Sequence, residues 1–156
     1  GAMIAREDMA EAFSGDPADA LNFAHGHAYA GSPLGCAAGL AVIDEIVERG
    51  LSERAREMGD YLAQKLEGLR KYGVVREVRG RGLIRGVELV KDTAGMEPFP
   101  ELGTALKKTA LEKGLILRVE PTWFAVVPAL VISREEVDEM CDLIERSLLA
   151  ALERVA

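Results

Sequence analysis

His25 and His27, the only histidines, stand one residue apart and open a glycine-dotted, almost uncharged stretch, HGHAYAGSPLGCAAGL, that runs from His25 to Leu40. Two imidazoles could begin a metal site, but zinc takes three or four ligands, and no further ligand of suitable spacing follows. Metal binding is therefore not expected. Ser32 lies near enough to serve as a nucleophile, yet nothing beside it supplies the acid that would orient a histidine base. Small side chains let backbones and ligands approach closely. The stretch is accordingly expected in a crevice or a subunit contact.

Gly80, Gly82 and Gly86 suggest a phosphate loop. Their order, G-x-G-x-x-x-G, misses the dinucleotide spacing, and apolar residues after them read as a strand. A phosphate cradle wants a helix N-terminus, so a tight turn between strands accounts better for these glycines. Arg79, Arg81 and Arg85 remain candidates for an anion or an interdomain contact. Arg118 closes the apolar run LILR before a turn, where its guanidinium would emerge from a sheet edge. There it could grip a carboxylate through two parallel hydrogen bonds or stand solvated at a strand end. Cys36, among alanines, and Cys141, on an apolar helical stripe, read as inert packing thiols. No lysine precedes Lys65.

The chain must position these groups with 156 residues, 49% of them apolar, enough for one domain or a small domain with an appendage. A net charge of -7 argues against nucleic acid and against an anionic membrane surface. No apolar run approaches the roughly 20 residues that span a bilayer, and no basic-then-apolar leader opens the chain. Two cysteines without a leader point to reduced thiols in the cytoplasm. Gly1-Ala2-Met3 fits either a cloning remnant or the start of a short strand over residues 1–6.

Glu7 to Phe13 reads as a short helix ending at the turn cluster Ser14-Gly15-Asp16-Pro17. A helix is expected from Pro33 to Arg49, stopped by Gly50. The next has Ser52 as cap and buries Ala55, Met58, Leu62, Leu66 and Leu69. Gly73 ends it. Val74–Val78 and Leu83–Val90 read as an antiparallel pair broken at Gly80 and Gly82. A polar loop then leads to a helix over 101–113, stopped by Gly114. Strands are expected at Leu115–Val119 and Trp123–Val127, with a turn at Glu120-Pro121-Thr122. Ser133 and Glu136 form a capping box for a last helix burying Val137, Met140, Cys141, Ile144, Leu148 and Leu152. The fold class is α+β: a small three- to four-stranded, mainly antiparallel sheet with helices on one face. Residues 1–30 do not belong to that plan and read as the end of another domain.

The segment HGHAYAGSPLGCAAGLAVIDEI resembles a motif of the class III aminotransferases, pyridoxal-phosphate enzymes of fold type I. The likeness continues through VVREVRGRGLIRGVEL, EKGLILR and PALVISREEVDEM, and GAMIAREDMAEAF resembles the strand and helix after the family's cofactor lysine. It thus covers nearly all of the chain, in one order.

The resemblance implies a C-terminal portion of such an enzyme. Residues 1–33 would end the large cofactor-binding domain, 34–50 form an interdomain helix and 51–156 the small α+β domain. The Schiff-base lysine would lie upstream, outside this chain, so no catalytic residue is assigned here and the fragment alone is expected to be inactive. The family's phosphate contact across a homodimer falls at Ala28 and Tyr29. Ala28 replaces a threonine, so only backbone groups remain for that contact. Arg118 falls where many members bind the substrate carboxylate. The implied partners are the remainder of the enzyme chain, a second subunit, an amino donor and a keto acid. Two rival readings are an aminomutase of the same fold (glutamate-semialdehyde type) and a non-catalytic interaction or dimerisation module.

Overall fold

A left-handed backbone at Gly50 (φ 57°) sets the start of the helix Leu51–Glu67. Ser52 therefore falls inside the first turn, and the expected serine cap is not formed. This helix is α3 of a computed structural model that describes residues 3–16, 18, 23 and 26–156. The chain divides into two compact units, Gly1–Glu48 and Arg49–Ala156.

In the first unit, α1 spans Glu7–Glu11 and α2 spans Pro33–Glu48. Residues 3–6 are irregular and exposed, not the expected strand. A strand needs a neighbour for its backbone groups, and no described residue forms a β-ladder with these. Gly1, Ala2 and Pro17 lie outside the described residues. Helix α2 carries no charged residue from Pro33 to Ile43, yet none of its residues is buried.

In the second unit α3 runs on through a 3-10 turn, Gly68–Tyr72, to Gly73, whose left-handed backbone (φ 72°) stops it. Strands β1 (Val75–Arg81) and β2 (Ile84–Leu89) form an antiparallel hairpin. Helix α4 spans Pro100–Glu112, β3 Arg118–Glu120, β4 Trp123–Val126 and α5 Arg134–Val155. The sheet is wholly antiparallel in the order β1-β2-β4-β3.

Strand alternation gives the sheet two unlike faces. Val75, Val87, Leu89, Val119, Phe124 and Val126 point inward and are at most 4% exposed. They join Leu62 and Leu66 of α3, Leu102 and Leu106 of α4, and Val137, Ile144 and Leu148 of α5 in one core. Thr109 Oγ1 donates to the Ser147 carbonyl at 2.8 Å and ties α4 to α5 inside it. Ser133 and Glu136 make both halves of the capping box. The expected stripe of α5 is buried in part at Met140 and Leu152 and fully at Val137, Ile144 and Leu148.

Two strand boundaries differ from expectation. Gly80 lies within β1 rather than breaking it, and the hairpin turn is Gly82-Leu83. A Cβ on Gly80 would stand 2.0 Å from the Ile84 carbonyl oxygen, so the residue is needed for close strand approach. Leu115–Leu117 are irregular. The β3 ladder runs only from Arg118↔Ala125 to Glu120↔Trp123, and Pro128, just past β4, has no N–H with which to extend it.

Candidate functional site

The outward face of the sheet carries most of the chemistry. Its register places Glu77, Glu88, Trp123 and Glu120 in one row across the four strands, and Arg79, Gly86, Ala125 and Arg118 in the next. No helix of the second unit covers the apolar side chains at its margin: Ile84 is 64% exposed and Val127 63%. Gly86 and Ala125 keep the middle of the second row low between the two arginines.

The arginines differ in how they are compensated. Arg79 Nη1 donates to Glu77 Oε2 at 3.1 Å and to Glu88 Oε2 at 3.4 Å, and Arg76 Nη1 donates to Glu88 Oε1 at 3.2 Å. Arg85 points the other way, into the core. Its Nη1 donates to the Gly80 carbonyl at 2.9 Å and its Nη2 reaches Asp60 at 3.4 Å, so it braces β1 and α3 and cannot receive an anion from the open face. The three arginines of the RGRGLIR run are therefore not gathered into one anion site.

Arg118 begins edge strand β3 rather than ending a strand. Its side chain is 71% exposed, and its Nε lies 3.8 Å from Glu120 Oε1, beyond hydrogen-bond range. Its guanidinium carbon lies over the Trp123 ring, 5.2 Å from the centroid. A guanidinium so held keeps its in-plane donors for an incoming carboxylate. Sequence reasoning singled out Arg118 but missed Trp123 and Glu120. The signal was the spacing R-x-E across the turn to W, which puts all three on one face.

The loop residues sit in the first unit. Ala30 N–H donates to the His27 carbonyl at 3.0 Å, Ser32 N–H to the Tyr29 carbonyl at 3.1 Å, and Gly31 takes the left-handed region (φ 71°). Ser32 Oγ accepts from Gly35 N–H at 3.2 Å and so caps α2, a role the Ser-Pro pair could have signalled. The Tyr29 ring is 87% exposed, and Ala28 lies in the same turn. His25 lies outside the described residues.

All six lysines lie in the second unit. Lys65 and Lys91 are ion-paired to Asp138 and Glu97, and Lys71 to Glu145. Hydrogen bonds to those carboxylates raise all three ammonium groups above their ordinary range. Lys107 and Lys108 are exposed on α4. Burial pushes the Cys141 thiol up to about 11, whereas Cys36 is exposed rather than packed. A separate open groove of about 580 Å³ between α4, the β3–β4 turn and the end of α5 holds Lys108 and Arg154, the latter tied to Glu112 at 2.6 Å.

The aminotransferase class-III family model matches residues 1–148. The adenosylmethionine-8-amino-7-oxononanoate aminotransferase of Anoxybacillus flavithermus is 31% identical over 98% of this chain and 34% of its own length. The acetylornithine aminotransferase of Caldanaerobacter subterraneus is 37% identical over 93% of this chain and 33% of its own length. Among solved structures, an (S)-enantioselective omega-transaminase from Thermomicrobium roseum superposes with a TM-score of 0.72 at 38% identity, covering 85% of this chain and 30% of that one. The PMP-bound aminotransferase from Vibrio fluvialis gives 0.79 at 29% identity, covering 89% and 31%. The chain spans about a third of the length of the curated relatives it matches.

Proposed function

Because this chain belongs to the aminotransferase class-III family, whose cofactor is pyridoxal phosphate, we propose that it is the C-terminal portion of an enzyme moving an amino group from an amino donor to a keto acid. Bound pyridoxal phosphate supplies the electron sink for such chemistry. The residues present here do not hold that group by themselves, since no lysine fits the anchoring role. This chain's part is to shape the substrate side of the site. The observation that carries the reading is Arg118, exposed on the outward sheet face with no carboxylate of the described residues in hydrogen-bond range, where it binds the donor's carboxylate.

Residues 1–33 belong to the large domain of the parent enzyme, 34–50 to an interdomain helix and 51–156 to the small domain. The uncharged run of α2 from Pro33 to Ile43 supports this, because a helical stretch apolar all round is normally covered by protein. The parent is a homodimer, and backbone groups at Ala28 and Tyr29 meet the cofactor phosphate of the second subunit. Two free cysteines fit a reducing, cytoplasmic setting. No helix among the described residues is long and apolar enough to cross a membrane.

The test is spectroscopic and kinetic. The isolated chain mixed with pyridoxal phosphate is expected to show no imine band near ~400–430 nm, because the amine that forms it is absent. The full-length parent is expected to show that band and to convert an amino acid plus a keto acid into the exchanged pair. Borohydride trapping of the cofactor on one specific lysine of the isolated chain would overturn the division of labour. A folded, cofactor-loaded parent without amino transfer would favour an aminomutase.

A further inference from the structure

Arg118 and Trp123 lie on neighbouring antiparallel strands, on the same open face. Glu120 stands directly opposite Trp123, and Arg118 is diagonal to it. Diagonal neighbours in a sheet are within reach of aromatic and long side chains. Here the guanidinium carbon is 5.2 Å from the ring centroid, inside the range of a cation–π contact, for which tryptophan is the best partner. We propose that Trp123 is a positioning residue for Arg118. Its ring holds one face of the guanidinium and so fixes where the in-plane N–H donors can meet a substrate carboxylate.

The geometry distinguishes this from an ordinary surface arginine. A carboxylate partner consumes the donors that a substrate would need, as Glu77 and Glu88 do for Arg79 at 3.1 and 3.4 Å. An aromatic partner occupies a face and leaves the edge unspent. Glu120 is close enough at 3.8 Å to attract the cation but too far to take a hydrogen bond. Glu120 is thus displaced from its weak hold on Arg118 when a substrate carboxylate docks. Trp123 is half-buried, which anchors the ring while the arginine over it is 71% exposed. Without the ring, an arginine this exposed would sample many rotamers, and each binding event would have to restrict them.

The inference rests on Arg118 binding the donor carboxylate, and the experiment separates the two. In the full-length enzyme, KM and kcat are measured for alanine and for a primary alkylamine in R118Q, W123L and W123F. R118Q is expected to raise KM for alanine by about ten- to a hundredfold, with the alkylamine spared. W123L is expected to raise KM for alanine about two- to fivefold at little change in kcat, the worth of an exposed cation–π contact, and W123F to recover part of it. If R118Q acts selectively but W123L does not, or W123L impairs both amines alike, the role of Trp123 is overturned and that of Arg118 stands. If R118Q is not selective, the Arg118 assignment itself fails. A second readout needs no turnover: Trp123 is the only tryptophan of the chain. Its emission in the isolated chain is expected to change in R118Q, and identical emission would exclude the stacking.

Discussion

Gly59 of α3 lies against Gly82 of the β1–β2 turn so closely that a Cβ on Gly59 would stand 2.1 Å from the Gly82 carbonyl oxygen. The hairpin that carries Arg79 and Gly86 is docked on α3 through this pair of glycines. Propensity alone would favour alanine at a helical glycine by about 1 kcal/mol. The contact reverses the sign. Gly59→Ala is expected to destabilise the chain by about 1–3 kcal/mol through overpacking, read as a lower urea midpoint. Gly68→Ala is the control: nothing lies within 4 Å of its Cβ position, and its φ of -59° suits any residue. That variant is expected to be neutral or slightly stabilising.

Acid is expected to loosen α5 from α3 and from the 3-10 turn that follows it. Hydrogen bonds from Lys65 and Tyr61 hold the Asp138 carboxyl below its ordinary range, and those from Lys71 and Tyr72 do the same for Glu145. A carboxyl with a depressed folded pKa adds stability that is complete above its unfolded value and is lost as pH falls through the folded one. Stability should therefore hold from neutral pH down to about 4 and then fall. The lysine partners, raised rather than lowered, stay charged throughout that window. The double variant D138N/E145Q should be less stable at pH 7 and show a flatter acid limb in denaturant titrations.

The two thiols should react at very different rates. Cys36 is exposed, while Cys141 is buried on α5 with its thiol pushed up to about 11. Only about one Cys141 in a thousand would be thiolate at pH 8, and the thiolate is the reactive form. An aromatic disulfide reagent should label one thiol promptly and the second only on unfolding. Prompt labelling of both would contradict the packing described for α5.

The last helix depends on its cap. Ser133 Oγ accepts from Glu136 N–H at 3.1 Å, and Glu136 Oε2 accepts from Ser133 N–H at 2.7 Å. Ser133→Ala should cost about 1 kcal/mol, and Ser133→Asp should retain most of the stability, because aspartate caps equally well. Thermal melts of the two variants decide this.

Local signals were legible where local chemistry decides. The capping box, the stops at Gly73 and Gly114 and the stripe through Leu62, Leu66 and Leu69 all follow from neighbours a few residues apart. The helix–strand order after residue 51 follows from them. Leu115–Leu117 misled because an apolar run resembles a strand, whereas a strand exists only where a partner ladder reaches it. Gly59 misled by omission, since a glycine inside a helical pattern reads as a weakness until the turn packed on it is seen.

Arg85 and Arg118 show where the division falls. Both are arginines beside apolar residues in or next to a strand, and their spacing alone offers each the same prospect of meeting an anion. The order of elements and the apolar faces of the helices were set by residue type and periodicity, and the family likeness is carried by motifs such as EKGLILR. Which arginine faces the core and which faces outward was set only when β2 and β3 each took register on β4. A shift of one residue in that pairing exchanges the two faces of a strand, and the register is fixed by distant contacts such as Phe124 between Val87 and Val119 on the buried face.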